Sequence, residues 1–288
     1  MSSLADSRRA RTVRLKRYRH TASAVLLWIV AIIFLLPVLY AVAVSLKPAA
    51  DVFDIPPTLV GSSIRWQNYV EAMTYLPFGK FIANSVLVAG SGTIVVLIVS
   101  STAAYAFARL GFRGRSVIFM IFLCTLMIPQ EVLVIPLFIE MQGFGWVDSY
   151  PALILPFAFT AFGTFLLRQF FLTVPQEMDD AATIDGAGRF RTFVSIMLPL
   201  ARPSLAVLAV FTFITYWNSF LWPLVITYST YDKGVVPVGL QLFFSQQGSQ
   251  WHLVMAAAVV SMVPTVIIVL LLRRHLVSGI STAGLGGR

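Results

Sequence analysis

The chain has 288 residues, of which 58% are hydrophobic and only 11% are charged. Soluble domains carry about 25% charged residues, so this chain has too little polar surface to solvate a globule. Its net charge of +9 would suggest nucleic acid in a soluble protein. Beside long apolar runs, however, basic residues mark the cytoplasmic side of a membrane, so the composition excludes a nucleic-acid partner and points to an all-α integral membrane protein.

Residues 1–23 form a basic cytoplasmic tail that carries Arg8, Arg9, Arg11, Arg14, Lys16, Arg17 and Arg19. The apolar run Ala24–Val44 is too long for a typical signal core and no A-x-A-like site follows it, so it is expected to remain as an anchor. A helix needs roughly 20 apolar residues to cross about 30 Å of hydrocarbon. Five more spans are predicted on that basis: about Phe81–Phe107, about Ser116–Ile139, Tyr150–Leu167, Pro203–Ile226 and Leu253–Leu272. Pro129, Gln130, Glu131 and Pro136 interrupt the third. Residues 24–272 thus form a six-helix transmembrane domain, and 273–288 a second cytoplasmic tail.

Lys and Arg counts set the orientation. Seven lie in the first tail, three in 109–115, four in 168–202 and three after Leu272. These seventeen stand against four at Lys47, Arg65, Lys80 and Lys233, which places both termini in the cytoplasm.

Several features along the spans have structural explanations. Gly90, Ser91 and Gly92 give the second span a small face for close packing. Trp66, Tyr69, Val70 and Met73 fall near helical spacing and predict a short amphipathic helix in the external segment 47–80. Trp222, Tyr228 and Tyr231 read as an interfacial belt. Cys124 has no partner cysteine. His20, His252 and His275 lack metal-ligand spacing, so no metal site is expected.

The loop at 173–202 is the most patterned polar segment. Thr173 and Gln176 have capping-box spacing, and Glu177, Asp179 and Asp180 follow where carboxylates favour a helix N-terminus. Met178, Ala181, Ala182 and Asp185 share one mostly small face. Asp185-Gly186 signals a turn, with Gly188 beyond it. Phe190, Phe193, Val194 and Met197 then recur at helical spacing, until Pro199 and Pro203. The loop therefore predicts a helix–turn–helix on the cytoplasmic face. It could lie in the headgroup region, pack on its own bundle, or serve a partner.

Asp180-Ala181-Ala182, Gly186 after three residues, Ile196 after nine more and then Leu198-Pro199 resemble the "EAA" loop of ABC-transporter permeases. Asp180 stands where that family has Glu, one methylene shorter. The likeness extends along nearly the whole chain and is nearest to the carbohydrate-uptake class. It includes "WQNYVEAM" from Trp66, "NSVLVAG" from Asn84, "MIPQEVLVIPLF" from Met127, "LILPFAF" from Leu153, "LLRQFF" from Leu166, "YWNSFLWPLV" from Tyr216, "VPVGLQLF" from Val236 and, loosely, the Gly-rich end "TAGLGGR".

The resemblance implies a type I ABC importer permease fold with six transmembrane helices in the bacterial inner membrane, importing a sugar or sugar derivative. It implies that Asp179, Asp180, Ala181, Ala182, Asp185, Gly186, Ile196, Leu198 and Pro199 form the element that couples to an ATPase. Phe190, Phe193 and Met197 would seat that element on the bundle. The expected partners are a second, related permease in a heterodimer, two ATPase subunits and an external substrate-binding protein. The chain has no G-x-x-x-x-G-K-[ST], so ATP would be bound by the partner and no cofactor by this chain, which is then not itself an enzyme.

Four residues are candidates for the substrate pathway. Glu131 is an acid inside a predicted span, at either an outward mouth or a buried position. Tyr216, Trp217 and Asn218 combine aromatic faces with an amide, as sugar sites do, although helix packing would explain them too. The alternative is an ion-coupled secondary transporter working through Glu131, without an ATPase.

Overall fold

The computed structural model describes residues 2–56, 58–229, 231–244 and 250–285, excluding the side chains at 2–20, 22 and 274–285. His20, His275 and the last glycines, Gly286 and Gly287, thus lie outside the described side chains. In chain order the helices are α1 (Ser2–Ser45), α2 (Gln67–Tyr75), α3 (Phe78–Arg109), α4 (Arg115–Cys124), α5 (Gln130–Gly143), α6 (Tyr150–Ile154) and α7 (Ala161–Thr173). They continue with α8 (Glu177–Ile184), α9 (Arg189–Thr192), α10 (Leu198–Leu200), α11 (Arg202–Trp217), α12 (Leu221–Ile226), α13 (Val236–Leu242) and α14 (Trp251–Leu285). No strand occurs among the described residues.

Three helical stretches, Ser23–Ser45, Phe78–Arg109 and Trp251–Arg273, are long and apolar enough to cross a membrane unaided. Counting each bent pair as one span raises the total to six. The third predicted span bends by 101° where α4 and its 3-10 turn meet α5. Ile128 there is extended and precedes Pro129, which cannot donate to the preceding turn. The fourth bends by 49° between α6 with its 3-10 turn and α7. It also runs on to Thr173, past the predicted Leu167. The fifth is not continuous as predicted: α11 stops at Trp217, Asn218 to Phe220 interrupt it, and α12 resumes at Leu221.

The chain forms two compact units. One comprises residues 1–71 and 250–259. Within it, Asn68 donates to the carbonyls of Ser45 and Lys47, both at 2.8 Å, closing the turn after α1. The buried Lys47 ammonium is satisfied by the carbonyl and hydroxyl of Thr58. Ser62 donates twice to Asp51, which holds that carboxyl below the usual carboxylate range. Helix α2 forms as predicted; of its apolar stripe Trp66 and Val70 are exposed and Tyr69 and Met73 half-buried. Asn68 is fully buried, its amide taken up by the two backbone carbonyls. His252 is buried near the start of α14.

The other unit comprises residues 72–249 and 260–288 and is built around α3. Its 32 residues would span about 48 Å, well beyond the hydrocarbon core. Helices α7 and α11 pack along it at small residues. A Cβ on Gly92 would meet the Tyr216 ring at 2.7 Å, and one on Gly163 would meet Ser100 Oγ at 2.7 Å. Gly90 has open space around it, so the predicted small face reduces to Gly92. Trp222 is buried and its indole donates to the Ala152 carbonyl at 2.9 Å, so it does not belong to an interfacial belt. Tyr228 is exposed.

Candidate coupling loop and translocation cavity

The loop between α7 and α11 is built from two short helical pieces around one glycine. Helix α8 starts at Glu177 without the predicted capping box. Thr173 donates instead to the Phe170 carbonyl at 2.7 Å, and Gln176 makes no side-chain cap. At the other end, Gly186 N donates to the Thr183 carbonyl at 3.0 Å and Ala187 N to the Ala182 carbonyl at 2.8 Å. This is the Schellman arrangement, which needs a left-handed residue just past the helix. Gly186 supplies it with φ of +77°.

The two faces of α8 differ in character. Asp179 and Ala182, one turn apart, are buried. Asp180, Ala181, Ile184 and Asp185 are exposed, Ile184 at 86%. The predicted small face therefore divides, with Ala182 turned inward and Ala181 outward. Asp179 faces Arg109, the last residue of α3, at 3.2 Å between Oδ2 and Nη1. The other arm of Arg109 donates to the Phe171 carbonyl at 2.6 Å and to the Val174 carbonyl. Removing one partner of a buried ion pair typically costs about 3–5 kcal/mol, since the other charge is left unbalanced.

Beyond the turn, Phe193 and Met197 are buried against Tyr105, Phe171 and Leu208. The Tyr105 ring lies 5.0 Å from Phe193, and its hydroxyl donates to the Arg189 carbonyl at 3.3 Å. Phe190 does not seat the loop: it is 77% exposed. The expected stripe fails because residues 193–197 form a π-helical turn. One extra residue per turn rotates the register, so the buried set becomes Thr192, Phe193, Met197 and Ala201. Ile196 and Leu198 are partly buried and Pro199 is exposed.

The same unit contains a cavity of about 670 Å³. Its polar lining comes from Gln130 and Glu131 at the start of α5, Thr160, Thr212, Thr215, Asn218 and Ser219. Phe157, Phe162, Phe211, Phe220 and Trp222 supply aromatic surface. Glu131 sits in the first turn of α5 and is exposed within this chain, on the cavity. Asn218, the C-cap of α11, is exposed in the same cavity.

Tyr216 contributes ring surface to the cavity while its hydroxyl donates to the Ile154 carbonyl at 2.8 Å. Trp217 is not in the lining. It is 3% exposed, stacks on Phe213 at 5.7 Å and donates to the Ser261 carbonyl. Sequence reasoning missed Gln130, Thr160, Thr212, Thr215 and Ser219. Thr212, Thr215, Tyr216 and Ser219 at helical spacing were the available signal for a polar stripe in an apolar span. Among the described residues no three His, Cys, Asp or Glu side chains come together as a metal set.

Comparison with known proteins bears on both features. The family described as the inner membrane component of binding-protein-dependent transport systems matches residues 97–282. The sn-glycerol-3-phosphate transport system permease protein UgpE of Yersinia enterocolitica is 38% identical over 264 residues, covering 89% of this chain and 94% of its own. The diacetylchitobiose uptake system permease protein NgcG of Streptomyces coelicolor is 34% identical over 92% of this chain and 88% of its own. The crystal structure of a bacterial ABC transporter that imports the acidic polysaccharide alginate contains a chain that superposes with a TM-score of 0.77 at 25% identity, covering 90% of this chain and 97% of that one. A chain of the alginate transporter in complex with an alginate pentasaccharide-bound periplasmic protein shares the fold, at a TM-score of 0.64 and 18% identity over 86% and 91% of the two chains.

Proposed function

We propose, from the premise that this chain belongs to the family of inner membrane components of binding-protein-dependent transport systems, that it is the permease subunit of an ATP-driven importer of sugars. The carrying observation is the α8 turn: its inner face is tied to the bundle by Asp179 and Ala182, while Asp180, Ala181, Ile184 and Asp185 stand outward for a partner. Relatives of this chain are named for uptake of glycerol phosphate and diacetylchitobiose, and a solved relative for alginate import.

In this reading both termini and the 173–202 loop face the cytoplasm of a multi-pass inner-membrane protein, as the Lys and Arg distribution favours. A second, related permease completes the pathway, two ATPase subunits dock below and an external binding protein delivers the sugar. The Asp180–Gly186 segment seats in the ATPase, which binds ATP, so this chain carries neither cofactor nor catalysis. ATP binding draws the two α8 helices together and favours the outward-facing state, and hydrolysis resets it.

The cavity beside Glu131 and Asn218 is the sugar's path through this subunit. Hydroxyl, amide and carboxylate groups spaced among aromatic rings suit a polyhydroxylated ligand. With one carboxylate and no Lys, Arg or His among the described lining, the cavity favours an uncharged or amino sugar over a phosphate or uronate. The test is reconstitution with the partner permease and ATPase in proteoliposomes, with binding protein outside. ATP-dependent uptake supports the assignment. Uptake by this chain alone, driven by an ion gradient and abolished in Glu131→Gln, would replace it with the secondary-transporter reading.

A further inference from the structure

We propose that Arg109 is the transmission residue of this permease, a guanidinium clamp that makes the coupling helix move as one body with α3 and α7. The inference rests on the coupling role assigned above to 173–202.

Three chain segments meet at Arg109. Its own backbone ends α3. Nη2 holds the Phe171 carbonyl at 2.6 Å and the Val174 carbonyl, at the end of α7. Nη1 faces Asp179 in the first turn of α8 at 3.2 Å. Both side chains are almost fully enclosed, at 9% and 6% exposure. A guanidinium suits this junction because it is planar and donates in several fixed directions at once, whereas an ammonium is a point charge on a flexible stem. Helix-terminal carbonyls also carry partial negative charge that favours a cation there.

The outward carboxylates Asp180 and Asp185 can serve a partner, but Asp179 cannot reach one. Neither of its oxygens accepts a hydrogen bond from a described residue, and the one ion pair it makes among them is with Arg109. Buried pairs of this kind add little net stability. Their best-attested use is to fix register, because any slide or rotation leaves a charge unpaired. Elsewhere the loop departs from a straight helix. It has a left-handed glycine at 186, a π-helical turn at 193–197, and a 77° bend between the segment ending at Leu200 and α11. Phe193 and Met197 touch the same bundle through apolar contacts, which are non-directional. A pull on α8 therefore reaches α3 and α7 through Arg109 before it reaches α11 through the chain.

The test uses the complete transporter in nanodiscs, with Cys124→Ser removing the native thiol and Thr215→Cys reporting access to the cavity. The readout is the rate of labelling by a charged methanethiosulfonate reagent, with and without a non-hydrolysable ATP analogue. An unresponsive reference protein would overturn the coupling assignment itself, and this proposal with it. In a responsive background, Asp179→Asn and the double variant Arg109→Gln/Asp179→Asn should retain the ATPase and ATP hydrolysis. Their nucleotide-dependent change in labelling should fall by about tenfold, within the usual range of coupling between sites. Asp179→Glu should restore the response to within about twofold. The double variant leaves no unpaired charge, so a response equal to the reference protein would overturn the proposal. So would loss of the ATPase from the double variant, which would make the pair an assembly element.

Discussion

Tyr216 lies directly over Gly92, with its ring where a Cβ on that glycine would stand at 2.7 Å, and its hydroxyl reaches past α3 to the Ile154 carbonyl at 2.8 Å. One side chain thus sets the approach of α11 to α3 and ties α11 to α6 at the wall of the cavity. Gly92→Ala should destabilise the bundle by about 1–3 kcal/mol through overpacking. Tyr216→Phe should cost a similar amount, about 1–3 kcal/mol, by leaving a buried carbonyl unpaired. Thermal unfolding of the purified transporter in detergent checks both, and an unchanged midpoint in Gly92→Ala would contradict the close approach.

Gly186 is a different case, because a side chain there meets open space. Its constraint is φ alone. Gly186→Asn should preserve uptake, since Asn tolerates the left-handed region. Gly186→Val should abolish it, at a backbone cost of about 1–2 kcal/mol or more for a β-branched side chain. ATP-driven uptake in proteoliposomes, normalised to the amount of permease in the membrane, distinguishes the two.

The two alanines of α8 should behave oppositely. Ala182→Trp forces a large ring into the inward face and should abolish uptake by lifting α8 from the bundle. Ala181→Trp, Ile184→Asp and Phe190→Asp alter the outward face and should release the ATPase while leaving the permease folded. Copurification under mild detergent, beside near-ultraviolet circular dichroism of the permease, separates these outcomes. Retention of the ATPase by all three outward variants would move the docking surface elsewhere.

Asn84 and Lys80 both tie the start of α3 to residues 232–234, and magnitudes decide between them. The buried Asn84 donates to the carbonyls of Asp232 and Gly234 at 3.0 and 2.9 Å and accepts from the Tyr150 hydroxyl at 2.8 Å. Asn84→Ala should therefore cost about 1–3 kcal/mol. The exposed Lys80–Asp232 pair, at 2.5 Å, should contribute too little to resolve. The Lys80 ammonium, first as hydrogen-bond donor and then as charge, holds the Asp232 carboxyl below its ordinary range. A depressed folded-state pKa means that the link is intact above the ordinary carboxylate range and is lost only as pH falls below it. Unfolding midpoints of Lys80→Ala and its parent should coincide at neutral pH and down to mild acid.

Glu131→Gln and Asn218→Ala should raise the KM for uptake more than they lower its maximum rate, because both side chains are exposed in the cavity without holding the fold. An unchanged KM in both would remove them from the sugar's path.

The spans were legible where apolar runs are continuous, as in α1, α3 and α14, because hydropathy averages over a window. The interruption at Pro129 was legible because proline marks the backbone directly, whereas the break at Asn218–Phe220 carries no proline and a hydropathy window does not register it. The Gly186 turn was readable because a left-handed cap leaves a residue-specific mark. The facing of the loop was not. Asp179 and Asp180 look alike in sequence, and only tertiary placement of Arg109, seventy positions away, turns one inward. The π-helical turn likewise rotated Phe190 out of a stripe that assumed regular pitch. At α2, Asn68 is drawn in by two backbone carbonyls, a role that no apolar pattern reveals.

The span of chain between Arg109 and Asp179 also imposes an order on biogenesis. At about 5–20 residues per second, the ribosome delivers Asp179 several seconds after Arg109. Until then Arg109 has neither its carboxylate nor the carbonyls of Phe171 and Val174. The surface offered by α8 consequently takes its final register only once the segments up to Thr173 have been laid into the bilayer. A chain cut short before Asp179 leaves Arg109 without the buried carboxylate that faces it in the finished fold.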